Sequence, residues 1–435
     1  MTTDNSQTIL KLRTGQEIIL PQRKDLLGGL KFTRRFSHNE VHPYDEVDWT
    51  RRDVRIMDWK TGKTIYERLG LEAPAHWDDN AVKITADKYL FGSEPGSLEY
   101  EDSFRNIYDR ISNTYTVWGW EEGYFATLED AEIFNEEIKA MLVQQIWAPN
   151  SPVWFNIGEG DGAGGPALAA DGLLGGPEGG QVDAYGTPAE KAAARVILSL
   201  PLATRNSFDP HMDALLYGET LSHQNANHSV SLKGDFWQAL ANNGNTYTRW
   251  VTNPAHIEQT FRAQELLEAM AQSIWDNGEP GVHNNDVINL WNPVKSIGTI
   301  TTSNPCSEYV FLNNTSCNLS SFNAYRFLIK GEDGKPVFDA DALTHAARLA
   351  MVCADLNVER GGFPIEEIAE GTYKYRTTGI GFANVGGSLM ALGVPSDSGE
   401  GRWIASQLCS ALTAACWTAS AEMGAELGSY VEYPA

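Results

Sequence analysis

Asn304, Cys306 and Glu308 place an amide, a thiol and a carboxylate at alternate positions of one short stretch. In an extended segment, side chains at i, i+2 and i+4 share one face. The spacing therefore predicts that one strand or loop aims all three groups into one pocket. A carboxylate beside a thiol disfavours the thiolate and makes the sulfur a poor polar nucleophile. The same pair suits a sulfur that carries a neutral hydrogen atom while the carboxylate takes a proton. The plainer reading of a lone Cys306 is a small buried hydrophobe, the usual place for an unpaired cysteine.

The full stretch reads Ser303-Asn304-Pro305-Cys306-Ser307-Glu308-Tyr309, and Cys317-Asn318-Leu319 follows. Asn-x-Cys-x-Glu alone is a weak pattern. Joined to Cys-Asn-Leu it resembles the active-site loop of ribonucleotide reductases, and Ser-Asn-Pro-Cys-Ser-Glu-Tyr resembles their adenosylcobalamin-dependent, class II branch. Other stretches carry the same likeness: His42-Pro43-Tyr44-Asp45-Glu46-Val47 before Trp49, Trp118-Gly119-Trp120-Glu121-Glu122-Gly123-Tyr124-Phe125, Asn150-Ser151-Pro152, the Asn227-x-Ser229-Val230 strand, and Arg376-Thr377 with Gly379 and Gly381.

The resemblance implies an α/β fold, namely an incomplete ten-stranded reductase-type β/α barrel behind a helical N-terminal region. It implies reduction of ribonucleotides to 2′-deoxyribonucleotides by a thiyl radical, of the ribonucleoside-diphosphate type, with adenosylcobalamin as cofactor. Cys306 would carry the radical, Glu308 would take the 3′-hydroxyl proton and Asn304 would orient the sugar. Cys317 would be half of a redox dithiol, recharged by an external thioredoxin-like dithiol. Ser151, Pro305 and Ser307 would join those three loop residues in contacting substrate. A nucleotide effector and a homodimer are compatible with the same likeness. The chain also departs from the family's pattern. An internal block after Asn-Ser-Pro and a C-terminal part are expected to be missing, and residues 1–305 hold no cysteine to partner Cys317. A second reading is therefore a non-catalytic relative that binds nucleotide or pairs with an intact reductase chain. A different radical enzyme on the same barrel is a third, against which Cys317 argues.

Composition bounds these readings. With 33 Lys and Arg against 57 Asp and Glu, the formal charge is −24. Such a surface is ill suited to wrapping a nucleic-acid backbone, although a local pocket can still take a nucleotide phosphate. No long apolar run suggests a membrane span, and no apolar leader opens the chain, so a cytoplasmic setting is expected. The cysteines, Cys306, Cys317, Cys353, Cys409 and Cys416, cluster late and lack CxxC spacing. That is neither a secreted disulfide framework nor a zinc site. His223 and His228 read as hydrogen-bonded loop histidines, and no metal site is expected.

The elements that must position the loop follow from period and caps. Residues 1–31 show no period and read as a flexible lead. The segment 32–53 reads as a wrapped strip of ion pairs and buried rings, within an N-terminal region 32–148. Thr127 with Asp130 predicts a helix start, and an apolar stripe from Ala131 to Ile146 carries the helix to about 147, where Pro149 stops it. Residues 149–157 read as the element that opens the barrel. The glycine-rich 158–187 reads as linker rather than phosphate cradle, since no Lys-Ser/Thr follows. A partial barrel is expected over 188–435. Helices are predicted over 188–200, 234–241, 261–275, 341–356 and 403–426; 282–286 reads as strand and loop, and the resemblance implies strands within 223–232 and 376–384. Cys353, Cys409 and Cys416 fall on helical faces, where packing is their expected job.

Overall fold

The computed structural model describes residues 8–13, 15–24, 28–92, 95, 100–158, 227–250, 252–253 and 255–430 of the chain. They form two units. One takes the described residues up to 158 together with those from 316 onward; the other takes 227–315. His223, the helix predicted over 188–200 and nearly all of the 158–187 linker lie outside the described residues. Among the described residues the strands pair as one three-stranded sheet and six two-stranded sheets.

The first unit opens where a flexible lead was expected. Strand β1 (Thr8–Lys11) instead pairs antiparallel with β2 (Glu17–Leu20). Leu10, Ile18 and Leu20 enter the core, while Ile9 and Ile19 face water. Two strands this short are too brief for a period to register in the sequence. A long ribbon follows, β3 (Trp49–Met57) against β4 (Thr64–Pro74). Helix α1 (Asp79–Tyr89) is capped by Asp78, and α2 (Phe104–Glu121) by Ser103 in a capping box with Asn106. Each cap satisfies amides that the first turn leaves without partners.

Helix α3 (Leu128–Val143) starts as its sequence predicts, with the Thr127 Oγ1 accepting from the Asp130 N–H at 3.1 Å. Ala131, Phe134, Ile138, Met141 and Leu142 are all buried. The helix ends before the predicted 147. Gln145 is left-handed (φ 56°) and Ile146 N–H reaches back to Met141 O at 2.8 Å, so the chain leaves as strand β5 (Trp147–Pro149). Asn150 then caps the short α4 (Ser151–Asn156).

Helix α3 also buries two carboxylates, Glu136 and Glu137. Arg13 and Arg34 both pair with Glu136. Glu137 accepts from the backbone N–H groups of Arg35, Phe36 and Ser37 at 3.0, 3.1 and 2.8 Å and from the Ser37 hydroxyl at 2.6 Å. His345 Nε2 lies 2.8 Å away on its other side. Phe32 sets its ring edge-on to Phe125 and Phe134. Residues 32–38 are thus the strip of ion pairs and buried rings that their composition predicts.

The second unit begins with β6 (Ser229–Leu232), then α5 (Gly234–Ala241), the ribbon β7 (Asn245–Arg249) and β8 (Ile257–Arg262), and α6 (Ala263–Asn277). Gly278, left-handed at φ 77°, stops α6 as a glycine at that position does. Strand β9 (Gly281–Asn284), α7 (Asn285–Leu290), β10 (Thr302–Ser303) and β11 (Val310–Phe311) complete it. β6 and β9 run parallel, with Ser229 opposite Gly281 and Ser231 opposite His283. A small core of Leu232, Phe236, Ala263 and Met270 holds α5 and α6 on the strands.

The chain then returns to the first unit with β12 (Asn318–Asn323), a 3-10 turn at Ala324–Phe327, the ribbon β13 (Leu328–Lys330) and β14 (Pro336–Phe338), and α8 (Ala340–Arg360). Helix α9 (Glu366–Tyr375), β15 (Thr378–Ala383), α10 (Val385–Leu392) and α11 (Gly399–Leu427) follow. β12 is the centre of the three-stranded sheet, parallel to β15 on one side and antiparallel to β5 on the other. Helix α8 covers that sheet and packs on α2 and α11, burying Ala346, Ala347, Ala350 and Cys353. Among the described residues no helix is long and apolar enough to cross a membrane, and no cluster of His, Cys, Asp and Glu could hold a metal ion.

Candidate active site

Asn304, Pro305, Cys306, Ser307 and Glu308 lie together in the second unit, at the turn between β10 and β11. The predicted extended segment is not what forms. Asn304 N–H donates to Tyr309 O and the Asn304 Oδ1 accepts from Tyr309 N–H, both at 3.0 Å. Ser307 N–H donates to Asn304 O at 3.1 Å. These bonds close the stretch into a turn rather than an extended strand. Asn304 is half-buried at its base; Pro305, Cys306 and Glu308 are exposed at its rim. Cys306 is therefore not a packing residue. With its carbonyl oxygen committed to the loop, what Asn304 can offer a ligand is its amide N–H groups.

Ser307 is left-handed, at φ +66°. For a residue with a Cβ this costs about 1–2 kcal/mol. Its hydroxyl turns inward and supplies the offset, lying 3.1 Å from the Ser229 Oγ and 3.0 Å from the His283 Nε2. Two such hydrogen bonds, at roughly 1 kcal/mol each, balance the strain. Gly281 makes the meeting sterically open, because a Cβ there would stand 2.5 Å from the Ser307 Oγ and 2.8 Å from the Ser229 Oγ. His283 is 7% exposed. Sequence reasoning treated it only as part of a strand; the available signal was a lone polar ring two residues after a glycine.

Ser151 and Cys317 belong to the first unit. Asn150 N–H donates to Leu319 O at 2.9 Å, and Pro149 stands opposite Ser320. That register brings Ser151, at the start of α4, and Cys317, just before β12, to the same end of the three-stranded sheet. Ser151 is exposed, with its Oγ 3.0 Å from the Tyr89 hydroxyl. Cys317 is half-buried against Gly379 of β15. Its backbone neighbourhood is fixed by Thr372 Oγ1, which accepts from Ser316 N–H at 3.0 Å, and by the Thr377 hydroxyl, which donates to Ser316 O at 2.6 Å.

The remaining thiols differ. Cys353 is wholly buried, and burial pushes its pKa well above the ordinary thiol value. Cys416 is half-buried and pushed up to about 11, again by burial. Cys409 is exposed on α11. It does not do the packing job expected of it, because its position on the helix faces water.

Comparison with known proteins bears on these loops. Residues 208–435 match the family described as "Ribonucleotide reductase, barrel domain", and residues 51–145 match "Class II vitamin B12-dependent ribonucleotide reductase". The chain is 33% identical over 474 residues to a vitamin B12-dependent ribonucleotide reductase of Streptomyces clavuligerus, a match covering 93% of this chain and 49% of that protein. A protein of the same description from Rhodopirellula baltica is 28% identical over 504 residues, covering 93% of this chain and 48% of its own. A vitamin B12-dependent ribonucleoside-diphosphate reductase of Mycobacterium tuberculosis is 32% identical over 206 residues, covering 47% of this chain and 28% of that protein. The chain thus spans about half the length of the curated relatives that it matches most extensively.

Proposed function

Since this chain belongs to the ribonucleotide reductase family, in its class II, vitamin B12-dependent branch, we propose that it reduces a ribonucleotide at C2′ by a thiyl radical held on Cys306. The observation that carries this is the presentation of Cys306. The sulfur is exposed on a turn whose two ends are hydrogen-bonded and whose next residue is pinned from within. A structural cysteine is buried instead, as Cys353 is.

The loop's residues fit the cofactor that the family implies, since Cys306 is exposed and so open to a radical-generating group. Adenosylcobalamin, when bound, supplies the one-electron oxidation that makes a thiol a thiyl. Everything else is the work of this chain. Cys306 takes the hydrogen atom from C3′. Glu308 takes the 3′-hydroxyl proton, a general-base role that needs hydrogen-bond reach. Asn304 donates to the sugar through its amide and fixes its orientation. Water leaves C2′, the Cys317 thiol together with a second thiol supplied by the external dithiol reductant gives two electrons and two protons and becomes a disulfide, and Cys306 returns its hydrogen to C3′. The sum is ribonucleotide plus dithiol giving deoxyribonucleotide, water and disulfide. An external thioredoxin-like dithiol would restore the thiols. Ser151 contacts substrate in this reading, as do Pro305 and the backbone of Ser307, whose hydroxyl is already engaged.

The proposal extends to architecture. The parallel pairs β6–β9 and β12–β15 are the pairing a β/α barrel uses, and support reading 188–435 as part of an incomplete ten-stranded barrel opened by 149–157. A ribonucleoside diphosphate as substrate, a nucleotide effector, a homodimer and a cytoplasmic setting belong to the same reading.

Adenosylcobalamin-dependent release of tritium from its C5′ position into water tests the function, because it reports thiyl formation without needing the dithiol. Exchange is expected in the chain and in Cys353→Ala, and is expected to vanish in Cys306→Ala. Nucleotide binding without any exchange would replace the proposal with a binding module.

A further inference from the structure

The function proposed for Cys306 requires a sulfur held still, yet the turn that carries it is exposed. Within the second unit, Ser307 attaches the turn to secondary structure outside its own hairpin. β6 and β9 lie parallel, so Ser229 and Ser231 share one face of the pair with Gly281 and His283. Ser231 Oγ accepts from the Asn285 amide at 2.9 Å, tying that face to α7 as well. Ser307 lowers its hydroxyl onto this face between Ser229 and His283. A hydroxyl can donate to one partner while accepting from the other. Gly281 is the gap that admits it.

We propose that His283 is a positioning residue for Cys306, acting through the Ser307 hydroxyl that it and Ser229 hold over Gly281. The imidazole reaches no reacting atom in this arrangement. It locks a left-handed residue whose neighbours on either side are the thiol and the carboxylate, and so sets the direction in which both project. This rests on the reading of Cys306 given above, and it also makes a claim about the loop that stands apart from any reaction.

The test compares His283→Ala with His283→Gln, whose amide nitrogen can occupy the place of Nε2. Three readouts apply to the cofactor-free chain: amide hydrogen exchange at Ser307 and Tyr309, the rate at which iodoacetamide alkylates Cys306, followed peptide by peptide, and protection of Cys306 by CDP. His283→Ala is expected to speed loop exchange about tenfold, the equivalent of one lost hydrogen bond, and to change the alkylation rate in step. His283→Gln is expected to restore both. Should the alanine variant fold poorly, Ser229→Ala removes the other partner and is expected to loosen the same amides. Wild-type exchange and alkylation in His283→Ala and Ser229→Ala alike would overturn the proposal. A loosened loop with no protection of wild-type Cys306 by CDP would leave the pin standing and remove the nucleotide reading, and with it the catalytic purpose assigned to the pin.

Discussion

Gly379 is the floor beneath Cys317: a Cβ built there would stand 2.9 Å from the sulfur and 2.4 Å from the Leu319 Cδ2. Overpacking of this kind costs about 1–3 kcal/mol, and Gly379→Ala should fall near the lower end because the atoms it meets are side-chain ends that can swing. The sulfur's environment should change more than the stability does. The expected result is a small drop in the denaturation midpoint with a clear change in the alkylation rate of Cys317. An unchanged rate would show that the thiol does not depend on this glycine.

Asn304→Asp separates the two halves of the Asn304 side chain. An aspartate keeps an oxygen for the Tyr309 N–H and loses the amide donors. Loop hydrogen exchange should stay near wild type, while CDP binding should weaken by roughly tenfold, the worth of one donated hydrogen bond. Equal loss of loop order and binding would mean that the amide serves the loop alone.

The thiols should react in order of exposure. Iodoacetamide at neutral pH is expected to modify Cys306 and Cys409 first, both being exposed, then Cys416, and Cys353 last, since burial raises the pKa of the final pair. Peptide mass spectrometry over a time course gives the ranking. Early modification of Cys353 in folded protein would contradict its burial on the inner face of α8.

Stability should fall on mild acidification through His42. His42 is held neutral, its pKa lowered to about 4, first by burial and then by the charge of Lys139. Its Nδ1 accepts from the Tyr44 N–H at 3.2 Å, and among the described residues its Nε2 is buried without a partner. The folded state therefore disfavours the proton. The contribution of the neutral ring is complete above pH 6.5 and is lost as pH falls through about 4, worth roughly 3 kcal/mol in all. His76, lowered by burial and by Arg326, acts in the same direction. Glu137 is buried, which pushes its pKa up, but His345 and Ser37 outweigh that and hold it below the usual value. Its loss belongs at the acid end. Urea midpoints between pH 7 and 4.5 should decline in wild type and decline less in His42→Gln. Parallel declines would remove His42 from the account.

Much of the fold was legible because helices announce themselves through caps and period. Thr127 with Asp130, Gly278 and the α5 boundaries all came from local chemistry that the tertiary structure left alone. The misreadings share a cause. Gln145 ends α3 early by adopting a left-handed backbone that no local rule demands of glutamine. The 8–20 hairpin is defined by what Leu10 and Ile18 pack against rather than by its own length. At the candidate site the residue types were readable and the geometry was not. Alternation predicted a strand or loop aiming Asn304, Cys306 and Glu308 together, and could not show that Ser229 and His283, far off in sequence, hold the left-handed turn at Ser307. A partner at that sequence separation leaves no trace in the loop's own pattern.

The carboxylates at the heart of α3 have a bearing on assembly. Glu136 meets its positive partners at Arg13 and Arg34, and Glu137 meets its donors at 35–37. A helix that must hide two negative charges cannot finish doing so alone, since removing the partner of a buried charge costs about 3–5 kcal/mol. Arg13 and residues 34–37 are accordingly a fitted counterpart to a helix a hundred positions downstream, and a chain without them would be expected to leave that helix with buried charges unanswered.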